Sequence, residues 1–200
     1  PEGRLHAFCH ASPGKWHLMG VMLACGGSYR WLRDSLGQHE KVLGFLTGRD
    51  PYDILNEEAA RAPPGCEGLI FLPYLSGERC PYPDPNARGV FFGLTLRHDK
   101  RHMVRAVMEG ATYGLRDSLE IMRELGLEIK QVRVVGGGAK SALWRSIVAD
   151  IFGVEVVTTA VEDATAFGAA ILAMVGAGGY KTVEEACGKM VLASGTAFLK

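Results

Sequence analysis

The densest run of residues suited to chemistry is Gly136-Gly137-Gly138-Ala139-Lys140-Ser141, set between the strand-like string VRVV and the helix-like string SALWRSIVADIF. Three consecutive glycines let backbone amides come up against a ligand, and the start of the following helix favours a phosphate through its unpaired N–H groups and its dipole. A nucleotide could sit there; the alternative is a tight strand-to-helix turn with Ser141 as N-cap. Two better-known phosphate motifs fail letter by letter. A Walker A loop requires glycine where Ala139 and Val134 stand, and a dinucleotide G-x-G-x-x-G requires it where Ser141 stands. Lys140 either neutralises phosphate charge or lies on the surface, and Trp144 either borders a base or fills the core.

Other reactive types are more scattered. Glu78 and Arg79 follow one apolar string and Arg88 precedes another, positions that suit a crevice at strand ends or ion pairs fixing a loop. His98 and His102 stand four apart, and His6, Cys9 and His10 cluster, but neither set completes a metal motif, and capping or core-edge roles are expected for them. Asp163 is read as a helix cap, with a ligand or magnesium-water role as the alternative. No G-x-S-x-G elbow is present, so a covalent hydrolase has no support.

The elements that must position these residues are readable from pattern. LHAFCH at 5–10 is a short strand, and the apolar stretch from His17 to Leu36 is a helix, with Met22, Gly26, Tyr29 and Leu32 at helical spacing and Gly37 as its stop. The segment 37–65 is predicted to be a peripheral insertion with one short helix around Tyr52 to Arg61. LIFLPYL and GVFFGL are apolar strings, the first a strand leaving into a stiff proline-rich loop. Asp99 caps a long helix to Leu125 whose narrow face of Met103, Ala106 or Val107, Gly110, Gly114, Ser118 and Met122 allows close packing. VRVV, SALWRSIVADIF, VEVVTT and DATAFGAAILAMVGAG then alternate as strand and helix, which predicts parallel pairing in an α/β fold. The last string, MVLASGTAFLK, is read as either cut short or a lone extended segment.

Composition narrows the partners. Twenty-two basic residues balance twenty-two acidic ones, so nothing favours nucleic acid. Five cysteines at irregular spacing fit neither a disulfide scaffold nor paired zinc motifs. The run Ala164 to Tyr180 is uncharged but rich in small residues and short for a bilayer, and the first residues do not read as a secretory leader. No membrane partner is expected, and a cytoplasmic location is.

A resemblance accounts for several of these strings together. Gly89-Val90-Phe91-Phe92-Gly93-Leu94 followed by His102-Met103-x-x-Ala106-Val107-Met108-Glu109 resembles the C-terminal signature of the FGGY carbohydrate kinases. GLIFLPYLSGER at 68–79, VGGGAKS at 135–141 and DATAFGAA at 163–170 are similar to the same family, covering roughly residues 6 to 198. The resemblance implies the partial second domain of an actin-like or ribonuclease-H-like ATPase fold, a mixed sheet flanked by helices, spanning 1–200 and truncated at both ends. It implies transfer of the γ-phosphoryl of ATP, with Mg2+, to a sugar hydroxyl, and places Gly26, Arg30, Gly137, Gly138 and Ser141 beside the nucleotide. The strings FCHASPGKWHLM and GGGAKSALWR resemble xylulose kinases in particular, so D-xylulose is the expected sugar. The catalytic base and the sugar pocket are expected on an N-terminal domain outside this chain, leaving the chain alone inactive, without catalytic residues or a metal site of its own. A kinase for another pentulose or glycerol, and a non-catalytic actin-like structural fragment, are the alternatives; a homodimer is left open.

Overall fold

The computed structural model describes residues 3–197. The chain divides into two compact units: Pro1–Arg4 with Gly20–Gly126, and Leu5–Met19 with Leu127–Lys200. In chain order the second unit begins first, as an antiparallel hairpin of β1 (His6–Cys9) and β2 (Trp16–Met19), registered from His6 opposite Met19 to Cys9 opposite Trp16. The expected long helix from His17 is therefore shorter: its first residues are strand, and the helix begins at Cys25. Trp16–Met19 supplies the backbone partners that β1 needs, a requirement that outweighs the apolar run it shares with the helix.

The first unit holds α1 (Cys25–Leu36), α2 (Gln38–Thr47) and α3 (Pro51–Ala60). α1 buries Ser28, Tyr29 and Leu32. Asp50 caps α3 by accepting from the Tyr52 N–H at 2.9 Å, with Pro51 in the first helical position. The segment 37–65 thus contains two helices, and α3 seats Leu55 and Ala59 fully inside the unit's core. A short 3-10 turn, Pro64–Gly68, leads to β3 (Ile70–Leu72), which pairs antiparallel with β4 (Val90–Phe92), Phe71 opposite Phe91.

α4 (Lys100–Glu124) forms the axis of this unit. The Asp99 carboxylate accepts from the Arg101 N–H at 3.0 Å, and the His102 imidazole reaches back to the Asp99 N–H at 3.2 Å, so both ends of a capping box are present. Burial on α4 is broader than one narrow face: Val104 through Thr112 are all buried, because α1, α3 and β3 pack around that half. Gly110 lies against the Phe71 backbone and Gly114 against the Met22 side chain.

The chain then returns to the second unit with β5 (Gln131–Val134), a 3-10 turn at Gly137–Lys140, α5 (Ala142–Phe152), β6 (Glu155–Thr159), α6 (Ala164–Gly176), α7 (Val183–Met190) and β7 (Ala193–Ala197). β5 and β6 are parallel, Gln131 opposite Glu155, as the alternation predicted. β7 runs antiparallel on the other side of β6, so Ala193–Ala197 of the final string is a sheet strand and not a lone segment. β6 is central, with Val156 and Val157 buried, and the helices bring Ile147, Ile151, Phe152 and Ile171 into the core. α5 ends at Gly153, whose φ of 68° is the left-handed conformation common after a helix. Among the described residues no helix is long and apolar enough to cross a membrane.

Candidate functional site

In open α/β sheets ligands bind in the crevice beyond the carboxyl ends of the strands. The second unit has such a crevice, a cavity of about 580 Å³ where β5 and β6 end, with walls that include Gly136, Gly137, Lys140, Arg145, Thr158 and Ser194. β5 runs into it through Gly136, whose φ 80° and ψ −168° belong to a region that side-chain-bearing residues scarcely enter. The turn is closed by Ala139 N–H to Gly136 O at 3.0 Å and Ser141 N–H to Gly138 O at 3.3 Å. A Cβ at Gly136 or Gly137 would meet nothing within 4 Å, so open space lies directly against the backbone there.

Side chains complete the frame. The Ser141 hydroxyl accepts from the Trp144 N–H at 3.1 Å and starts α5, and Ser141 itself is only 8% exposed. Trp144 is buried, which settles it in the core, and its ring lies 3.4 Å from where a Cβ of Gly138 would stand. Lys140 Nζ pairs with Glu162 Oε2 at 2.9 Å, and Asp163 caps α6 by accepting from the Ala166 N–H at 3.0 Å. The Arg145 guanidinium donates to the carbonyls of Ala139 and Lys140, and the hydroxyls of Thr158 and Ser194 meet at 3.2 Å.

Of the residues singled out from the sequence, Gly137 stands on the crevice wall, while Gly138 and Ser141 form the same turn but face Trp144 and α5. Gly26 and Arg30 belong to the first unit, exposed on α1, with open space beside Gly26. Arg88 fixes its own loop by donating to the carbonyls of Pro85 and Ala87, and Glu78 is buried, accepting from the N–H groups of Leu23 and Arg79. Arg145, Thr158 and Ser194 escaped the sequence reading, since they come from three separate elements that only the sheet brings together.

The first unit has a second polar cluster. Arg105 and Glu109, both nearly buried, pair at 2.7 Å; Glu109 also accepts from the Gly65 N–H and, at 3.6 Å, from the Cys66 thiol. Burial, reinforced by the Glu109 carboxylate, pushes the Cys66 thiol up to about 12. This cluster anchors the 3-10 turn, where Cys66 and Glu67 have positive φ.

Residues 2–177 match the family model described as the FGGY family of carbohydrate kinases, C-terminal domain. A xylulose kinase of Staphylococcus epidermidis is 42% identical over 92% of the chain, and the gluconokinase of Bacillus subtilis 39% over 88%; the chain spans 35% and 34% of those proteins. The solved structure of ligand-bound xylulose kinase from Lactobacillus acidophilus superposes on all of the chain with a TM-score of 0.84 at 32% identity, the chain covering 38% of it. A mixed sheet flanked by helices, with a glycine turn at its parallel strand ends, is therefore an actin-like, ribonuclease-H-like ATPase fold, and the chain belongs to the FGGY family of carbohydrate kinases.

Proposed function

We propose that this chain is the ATP-binding part of a kinase that transfers the γ-phosphoryl of MgATP to a sugar hydroxyl, with D-xylulose yielding D-xylulose 5-phosphate. The observation that carries the reading is the glycine-edged crevice at the ends of β5 and β6, open against the backbone of Gly136 and Gly137. Its size suits a nucleotide-scale ligand. The amino end of α5 beside it favours phosphate charge. Gly137 is the proposed backbone contact, Gly138 and Ser141 shape the turn, and Gly26 and Arg30 on α1 are also proposed as nucleotide-binding residues. Mg2+ is proposed to arrive with the triphosphate, in keeping with its retention of several waters.

The aspartate base and sugar pocket of the complete protein are placed outside this chain, which alone phosphorylates nothing. Transfer would be in line, with positioning and charge stabilisation as the main sources of rate. Cytoplasmic residence belongs to the same proposal. Gluconate is the second reading for the sugar, favoured by the gluconokinase whose identity nearly equals that of the xylulose kinase.

Calorimetric titration of the chain with MgATP, and with MgGTP for comparison, tests the nucleotide reading. Saturable binding with ATP preferred is expected, weakened in Gly137→Ala without loss of stability, because that methyl meets no atom of the chain within 4 Å. A folded chain that binds no ATP refutes it. Assay of the full-length kinase with D-xylulose and gluconate separates the two sugars.

A further inference from the structure

Arg145 stands in the first turn of α5 and reaches back to the glycine turn. Its Nη1 donates to the Ala139 carbonyl at 2.5 Å and to the Lys140 carbonyl at 3.3 Å. The backbone bonds that close the same turn are Ala139 N–H to Gly136 O and Ser141 N–H to Gly138 O. Glycine has more conformational freedom to lose than any other residue, so a run of three holds one shape only if something beyond its own backbone fixes it. A charged donor is the strongest hydrogen-bonding means of doing so.

Arg145 is also on the crevice wall, which raises the question of whether its charge is meant for a ligand phosphate. The bonding answers it: the guanidinium is directed at two successive carbonyls on the far end of the turn from Gly136. Held there, it ties the last two residues of the turn to α5. The crevice edge then becomes part of a rigid helix instead of a mobile loop.

We infer that Arg145 is a positioning residue that clamps the Gly137–Lys140 turn to α5, so that the glycine backbone is already in place when the nucleoside part of the nucleotide arrives. The inference rests on the nucleotide reading of this crevice. A preformed edge raises affinity by removing the ordering cost from the binding step. The effect is accordingly independent of the number of phosphates. Lysine keeps the charge but loses part of the effect, because its ammonium sits on a more flexible stem than the guanidinium.

The test compares the unaltered chain with Arg145→Met and Arg145→Lys. Amide hydrogen exchange of Ala139 and Ser141 is measured without ligand, and affinities for adenosine, ADP and MgATP are measured by calorimetry. The clamp predicts exchange about tenfold faster in Arg145→Met, and affinity lower by a common factor of about ten for all three ligands, with Arg145→Lys intermediate. Unchanged exchange overturns it. So does an affinity loss that is absent for adenosine and grows with phosphate number, which marks a direct phosphate contact. If the unaltered chain binds none of the ligands while exchange still quickens in Arg145→Met, the nucleotide reading fails and the clamp stands as a property of the turn.

Discussion

Replacing Gly110 by alanine adds one methyl group at the most crowded point of the first unit. The new Cβ would fall well inside van der Waals contact of the Phe71 carbonyl oxygen, 3.0 Å from its carbonyl carbon and 3.2 Å from its Cβ. The obstacle is the backbone of β3, which is itself paired with β4, so relief requires α4 to retreat. That retreat loosens the packing that keeps Phe71, Ala106 and Val107 almost wholly buried. Overpacking costs about 1–3 kcal/mol and occasionally more. Alanine returns about 1 kcal/mol of helix propensity. With a backbone obstacle the upper end applies, giving a net loss of about 2 kcal/mol. For a urea m-value of about 2 kcal/mol/M the midpoint then falls by roughly 1 M. Gly114, one turn along, is the control: its Cβ would meet Met22 Sδ at 3.0 Å and Cε at 3.1 Å. Those atoms end a flexible side chain, so Gly114→Ala is expected within about 0.5 kcal/mol of the unaltered protein, propensity offsetting the crowding. Equal midpoints for the two variants, or a Gly110→Ala midpoint matching the unaltered chain, would refute the reasoning.

Glu109→Ala leaves the Arg105 guanidinium buried without its 2.7 Å partner, and a loss of about 3–5 kcal/mol is expected in urea denaturation; a loss below about 1 kcal/mol would show the pair to be dispensable. Stability should also fall in alkaline solution. Burial pushes the Cys25 thiol up to about 11, and burial with the Glu109 carboxylate pushes Cys66 to about 12, against about 8.5 for an open thiol. Above that value the unfolded chain releases protons that the fold keeps, so stability is full below it and declines as pH rises toward 11, by up to about 1.4 kcal/mol per unit for each thiol. Urea midpoints at about pH 7.5 and about pH 10 check this, and a Cys66→Ser chain with an undiminished slope would remove Cys66 from the account.

Much of the second unit was legible because its signals are local and agree with one another. VRVV, the glycines, Ser141 as N-cap and the helix that follows point to a single strand-turn-helix, and Asp99 marks the start of α4 equally well. Elements whose reason is a partner strand were not legible. β2 is extended because β1 pairs with it, and β7 because β6 offers a free edge. α2 has no side-chain cap at Gly37, which leaves no start signal to read. α7 did have one: Thr182 stands three residues before Glu185, a start signal in the sequence that went unused, and its hydroxyl accepts from the Glu185 N–H while Glu185 accepts from the Lys181 N–H. For the site, glycine spacing found the turn, but the crevice walls contributed by Arg145, Thr158 and Ser194 depend on how three elements converge, which no single stretch encodes.

The interleaving of the two units has a kinetic consequence. The second unit draws Leu5–Met19 and Leu127–Lys200 from opposite sides of Gly20–Gly126, and Lys15 on the β1–β2 connection pairs with Glu184 of α7 at 3.4 Å. Its assembly therefore closes a very long loop, whose entropy cost must be met before the distant contacts give anything back. The first unit is almost continuous in sequence and carries no such delay. During refolding the helical unit around α4 should form first, and the second unit should gain its hairpin last.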